Sequence, residues 1–405
     1  MNARAAGEVP VGRRAEAAPA RARVPAVLLL AAPLALAIAS ALVFGISGGL
    51  VRAGVDVGGG AWLGAATLFH AALMICGFLG TVIGIERAVA MRAAPAFLAP
   101  LSSAAAAVAL LAGAPAVARA LLVAAALVFV VVNVRLWQRQ AAAHTALLCV
   151  SALAWLAGNV AFAVDHTGAA TLALWFTFLV LTIAAERLEM TRLMRRRPGA
   201  LASFFVIVAL LLAGAALSWP APRAGGALFG AALAALAVWL LLFDIARRTI
   251  FAHGLSRYMA VCLLGGYAWL GAAGVAWATL AVGAGGTEAA ATALLRDVAL
   301  HALGLGFVLA MVMGHAPVIL PALARIKVAF GRWFYVPLTL LHGSLLWRFF
   351  GGLAGAPDAR AQGSALNALA LALFVLTMAG AALVWRRTHS SSTRATATRR
   401  RAPHP

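Results

Sequence analysis

The sequence predicts an all-α, polytopic membrane protein of about twelve transmembrane helices. Three observations carry that reading. First, 64% of the 405 residues are apolar and only 11% are charged, where soluble domains have about 45–50% and about 25%. Second, the apolar residues fall in windows of about 20, the length that crosses a bilayer core. Third, arginine-rich and arginine-poor connections alternate between the windows, as the positive-inside rule requires. The mean hydropathy of +0.98 excludes a soluble enzyme and a disordered chain alike.

The windows are read in order as 25–47, 62–85, 95–114, 117–136, 143–163, 170–190, 201–218, 226–245, 258–283, 297–321, 331–350 and 364–385. Residues 1–23 form a basic, Ala/Pro-rich N-terminal segment, 24–386 a single transmembrane domain, and 387–405 a basic, Ser/Thr-rich tail expected to be disordered. The run from Val24 to Ile46 is longer than a signal-peptide core and is read as the first anchor span. Pro115, Pro198, Pro220 to Pro222 and Gly351 to Pro357 mark connections. No connection is long enough to hold a soluble catalytic domain.

Twelve spans put both termini on one side. Of the 32 lysines and arginines, only Arg52, Arg119, Arg223, Arg296, Arg348 and Arg360 then fall on the other. The expected location is therefore the bacterial cytoplasmic membrane, with both termini cytoplasmic. The net charge of +21 serves orientation and contact with anionic lipid rather than nucleic acid. The three cysteines, Cys76, Cys149 and Cys262, lie inside apolar runs and make no disulfide framework. No Cys-x-x-Cys-His occurs, so covalent c-type haem attachment is excluded.

Ionisable groups inside spans are costly and are candidates for function. Four of the nine histidines fall there: His70, His301, His315 and His342. Counted from the span ends, His70 and His342 each lie roughly 12 Å and His301 roughly 6 Å below the arginine-poor side, with His315 roughly 21 Å deeper than His301. Imidazole suits haem iron, copper and zinc, and a b-type haem needs two axial histidines from different helices at similar depth. The plainer alternative is a histidine bonded to a neighbouring helix. Met74, one turn from His70, is a soft metal ligand or core filler. Arg296 and Arg348 flank the histidines and are expected either to pair with haem carboxylates or to snorkel to the interface. Gly77 and Gly84 share a face with His70, leaving room for a flat macrocycle or a close helix partner.

Span 2 ends in Glu86-Arg87 and span 6 in Glu186-Arg187, while span 10 carries His315 and Pro317. His70-Ala71 followed by Gly77-Phe78 is echoed by His301-Ala302 followed by Gly306-Phe307. Both patterns hint at three four-helix units.

At these segments the chain resembles the NnrS family of haem- and copper-containing membrane proteins. The stretch from His70 to Phe78 is similar to that family's His-x-His-Glu-Met-x-x-Gly-Phe segment through His70, Met74, Gly77 and Phe78. Ala72 stands in place of the second His and Leu73 in place of the Glu. The stretch from His301 to Gly314 resembles the family's His-Ala-Leu-x-x-Gly segment. The resemblance implies bound haem b, copper, a small gaseous ligand such as nitric oxide, and a role in nitric oxide metabolism or nitrosative stress. It makes His70 one axial ligand and His301 or His342 the other, with the remaining histidine free for copper or a ligand. A wider resemblance is to the haem–copper oxidase core, which has twelve spans and holds its low-spin haem by histidines from spans 2 and 10. The copper-ligating histidines of its spans 6 and 7 have no counterpart here.

The second reading is a proton-coupled secondary transporter of a small solute. Glu86, Glu186 and Asp244 would serve a proton path. Against it, these carboxylates sit beside arginines at one edge, and Asp165 and Asp297 sit at the other. Whether the chain is an enzyme stays open at this point, as does its electron partner.

Overall fold

The computed structural model describes residues 26–165, 168–190, 198–283, 289–324 and 326–399. Within them every regular element is a helix. α1 (Ala26–Arg52) and the short α2 (Ala61–Leu68) lead into α3, which runs from His70 to Met91. There follow α4 (Leu98–Leu111), α5 (Pro115–Arg139), α6 (Ala143–Asp165), α7 (Ala169–Met190), α8 (Ala200–Leu217) and α9 (Pro222–Phe243). A single turn, α10 (Ala246–Thr249), precedes α11 (Gly254–Gly283). α12 joins Ala289–His301, Ala302–Leu309 and Ala310–Ala324 end to end, and α13 (Tyr335–Leu353) and α14 (Pro357–Arg399) complete the chain.

Eleven of these helices are long and apolar enough to cross a membrane. The remaining expected span is present as α13, with 19 residues, roughly 28 Å at 1.5 Å per residue. His342 and Arg348 make it less apolar than the others. Pro115 and Pro222 sit in the first turns of α5 and α9, where a missing N–H costs nothing. Gly113 and Gly355 end α4 and α13 with φ of 75° and 63°, a left-handed backbone that glycine takes without strain.

The helix bounds depart from the sequence reading where flanking segments are less apolar. α12 starts at Ala289 rather than 297, and α14 starts at Pro357 and continues to Arg399, past the point where the tail is expected to begin. The N-terminal segment 1–23 and the arginines at 192 and 195–197 lie outside the described residues.

α7 is the most enclosed helix, with 78% of its apolar window buried, against 22% for α1. An aromatic group locks it to α5 and α6: Trp155 stacks on Phe178 at 5.0 Å, and Phe129 meets Trp155 edge-on at 5.3 Å. α9 and α11 approach backbone to backbone. A Cβ on Gly230 would lie 2.4 Å from the Ala278 nitrogen, and one on Gly274 would lie 2.5 Å from the Ala234 nitrogen. Small residues at such a crossing let helices associate where lipid supplies no hydrophobic drive.

Two helices carry matching irregularities. In α3 the segment Leu73–Gly80 is a π-helix, and in α12 so is Ala302–Leu309. Each is eight residues long and begins within three residues of His70 or His301. Just before His70, Phe69 has φ −101° and ψ 19°, which turns the chain between α2 and α3. π-helical turns are rare and collect at functional sites.

Candidate functional site

The two π-helical segments bring His70 and His301 together. Their rings are 6.3 Å apart between centroids and 25° from parallel. The sequence reading had matched His70 in depth with His342 instead. Because α12 begins at Ala289, His301 lies twelve residues inside it, roughly 18 Å, and reaches the level of His70.

Each ring has one nitrogen already committed. His70 Nδ1 lies 2.6 Å from the Gly45 carbonyl of α1, so Nδ1–H donates and Nε2 keeps its lone pair. His301 Nδ1 is 3.0 Å from both the main-chain carbonyl and Oδ1 of Asp297, one turn earlier. That is the arrangement in which a carbonyl or carboxylate orients a metal-ligating imidazole.

Asp297 is the hub of the second helix. Arg348 of α13 donates to it from Nε at 2.9 Å and from Nη2 at 2.6 Å, a bidentate pair. Arg360 lies 3.5 Å away on the same carboxylate. Asp297 and Arg348 are 7% and 6% exposed, so the pair is enclosed. Arg348 Nη2 is 3.3 Å from both ring nitrogens of His301. With Nδ1–H given to Asp297, Nε2 is the acceptor that this guanidinium approaches. The expectation that Arg348 reaches outward for a carboxylate ligand is corrected: its fork is filled by Asp297.

A cavity of about 170 Å³ opens beside the two rings. His70, His301, Met74, Arg52, Arg296 and Arg348 line it, with apolar walls from Leu172, Phe176 and Leu371. Arg52 and Arg296 are exposed at its mouth and can meet an anionic group. The sequence reading treated Arg52 only as a topological charge and Asp297 only as an end residue. The four-residue spacing of Asp297 to His301 was the signal for the latter. Met74 packs its sulfur towards Gly45, where a Cβ would come within 2.8 Å. Gly49 makes the floor under His70, since a Cβ there would be 2.7 Å from Cε1 of the ring.

The other candidates are placed elsewhere. His342 does not line the cavity. Its Nδ1 accepts Trp269 Nε1–H at 2.8 Å, and its Nε2 is buried against Gly265. His315 has both nitrogens bound, Nε2 to Arg187 at 2.6 Å and Nδ1 to the Met311 carbonyl at 2.7 Å. Gly77 and Gly84 receive neighbouring helices, at Ala107 and Ala41 and at Pro100, so their stripe is close helix packing and not a macrocycle slot. The two Glu-Arg pairs do meet: Arg87 contacts Glu86 directly and Glu186 at 4.0 Å. Among the described residues no group of three or more His, Cys, Asp or Glu side chains gathers in metal-binding fashion. What the site offers is two facing imidazoles.

A family model described as a domain of unknown function (DUF8744) matches residues 29–383. The chain belongs to this family. The matched segment includes His70, His301, Asp297 and Arg348. No curated protein and no solved structure matches the chain.

Proposed function

We propose that this chain is an integral membrane protein that holds a b-type haem between His70 and His301. The observation that carries the reading is the separation of the two rings. Two imidazoles bound on opposite sides of one metal, each with nitrogen about 2.0–2.1 Å from it and roughly 1.2 Å from its own centroid, have centroids about 6.4 Å apart. The 6.3 Å found here matches. The donor set also fits. Both Nδ1 atoms are oriented by the protein, His70 Nε2 keeps its lone pair, His301 Nε2 has only the 3.3 Å approach of Arg348 to give up, and Arg52 and Arg296, exposed on the cavity wall, would pair with haem carboxylates. When bound, such a haem supplies one-electron redox chemistry.

The chain's own residues set the conditions for it. Gly45 and Asp297 fix the imidazole tautomers, Arg348 holds Asp297, and Leu172, Phe176 and Leu371 exclude water. Held by both histidines, a haem would supply electron transfer rather than bind a gas. The resemblance to NnrS supports a role for that electron transfer in nitric oxide metabolism, and the arginine distribution supports the cytoplasmic membrane with both termini cytoplasmic. Copper is not carried forward, because Ala72 and Leu73 replace the family's His and Glu.

The test is the absorption spectrum of the full-length protein purified from haem-replete cells. A Soret band with low-spin features is expected. It is lost in His70→Ala and in His301→Ala and retained in His342→Ala. No Soret band in the parent, or a full band in the His70→Ala/His301→Ala double variant, overturns the proposal.

A further inference from the structure

A second opening lies close to the histidine cavity, between α13 and α14. It is a groove of about 550 Å³ that runs from Tyr335 to Ser344, with Leu366 on its α14 side. That is roughly 14 Å along α13 at 1.5 Å per residue. Thr339, Gly343 and Leu366 are exposed along it. A Cβ on Gly343 would meet nothing within 4 Å, so the groove is open at that point. Both helices are apolar and of spanning length, and the open side faces lipid.

One end of the groove meets the wall of the histidine cavity. Ser344 lines the groove, and Asn367 of α14 lines the cavity. The two are 2% and 3% exposed, and Asn367 Nδ2 donates to Ser344 Oγ at 2.5 Å. Ser344 gives its own hydrogen to the Leu341 carbonyl at 3.1 Å, so its oxygen is left to accept. That chain orients the amide, with Nδ2 towards α13 and Oδ1 as the free end. Oδ1 is buried, and no protein group donates to it. The partition between groove and cavity therefore contains a bare acceptor.

A buried acceptor without a donor is costly. A haem in the cavity does not supply the donor, since its polar edge is two carboxylates, which are themselves acceptors beside Arg52 and Arg296. A groove open to lipid selects a donor carried on an apolar body. A quinol has two hydroxyl donors on an apolar ring, and its tail can follow the groove. It also carries electrons, which a haem held by two histidines takes up singly.

We propose that the α13–α14 groove admits a membrane quinol, and that Asn367 Oδ1 accepts a hydrogen bond from its hydroxyl beside the histidine cavity. The proposal rests on the haem reading and names the electron donor to that site. One quinol gives up two electrons and two protons and leaves as the quinone. Each electron reduces one ferric haem, so two protein molecules are reduced per quinol, and the protons pass to bath water. Asn367 orients the hydroxyl and takes no proton.

The experiment is anaerobic stopped-flow mixing of the full-length, haem-loaded protein in lipid nanodiscs with a short-tailed naphthoquinol. The Soret band is expected to move to its reduced position, with one quinone formed for every two haems. Asn367→Leu slows this about tenfold, the worth of one lost hydrogen bond. Gly343→Phe, which fills the groove at an exposed position with space around it, slows it as well. Leu376→Phe, exposed on α14 outside the groove, leaves the rate unchanged. Dithionite reduces the parent and all three variants alike, which shows that the haem site is intact. A parent reduced by dithionite but not by the quinol overturns the proposal while the haem reading stands. A parental rate in either Asn367→Leu or Gly343→Phe also overturns it. A parent without a Soret band overturns the haem reading, and this proposal with it.

Discussion

Asp297 and Arg348 are 51 positions apart in sequence and close both carboxylate oxygens on one guanidinium, at 2.6 and 2.9 Å. The pair ties α12 to α13 and holds the Asp297 carboxylate against His301. Both side chains are 7% exposed, so neither charge can return to water when the other is removed.

The first prediction concerns that pair. Removing one partner of a buried ion pair costs about 3–5 kcal/mol, whereas replacing both by apolar groups is often close to neutral. Arg348→Met is therefore expected to lower the thermal unfolding midpoint sharply in detergent, and Asp297→Leu/Arg348→Met to regain much of the loss. Arg360 lies 3.5 Å from Asp297 and softens the single variant. Equal midpoints for the single and double variants would show that the pair does not act as a unit.

A second prediction separates His342 from the histidine pair. Trp269 Nε1–H donates to His342 Nδ1, so His342→Leu leaves a half-buried indole donor without its protein acceptor, a loss of about 1 kcal/mol. Trp269→Phe/His342→Leu removes donor and acceptor together and is expected to be more stable than His342→Leu alone. The readout is a double-mutant cycle on unfolding midpoints. Additive effects would mean that the bond contributes nothing.

How far the site was legible in the sequence follows from where each signal lives. The histidines stood out because ionisable groups are rare in apolar windows, and the fold class followed from the same windows. Which histidine pairs with His70 was not legible. Depth was counted from the ends of apolar runs, and α12 begins eight residues before its run, at Ala289. The Asp297 to His301 spacing is local and could have been read, but the grip of Arg348 on Asp297 depends on how α13 packs. The π-helical turns left no trace either. Segments such as Leu73–Gly80 are apolar all round, so no periodicity marks an extra residue in the turn.

A third prediction tests the floor of the site. A Cβ on Gly49 would come within 2.7 Å of His70 Cε1, and overpacking of this kind costs about 1–3 kcal/mol or moves the side chain. Gly49→Ala is expected to tilt the His70 ring and reduce the low-spin Soret signal. Gly64→Ala, with nothing within 4 Å of the added atom, serves as the control and leaves it unchanged. A Gly49→Ala spectrum identical to the parent would mean that the ring has room that the geometry does not give it.

The last prediction concerns Asn159, which is fully buried on α6. Its Oδ1 accepts the Trp175 indole N–H of α7 at 2.8 Å, and its Nδ2 donates to the Leu122 carbonyl of α5 at 2.8 Å. Cys76 Sγ, inside the π-helical turn after His70, lies 3.5 Å from the same Oδ1. One amide thus joins α5 and α7 and reaches the segment that carries the first histidine. Asn159→Leu leaves the indole donor unmet in an apolar interior, a loss of about 1–3 kcal/mol, while the Leu122 carbonyl keeps its helical bond and loses only its second donor. The variant is expected to lose several degrees in unfolding midpoint and to weaken the His70 signal, although Asn159 touches neither histidine. Asn159→Asp, which keeps an acceptor for Trp175 but loses the donor to Leu122 and adds a buried charge, should be no better. Trp175→Phe, which removes only the indole donor, should be milder. If Asn159→Leu proves as stable as the parent in thermal unfolding, the amide is packing filler and the three-helix junction is held by the aromatic stack of Trp155 and Phe178 instead.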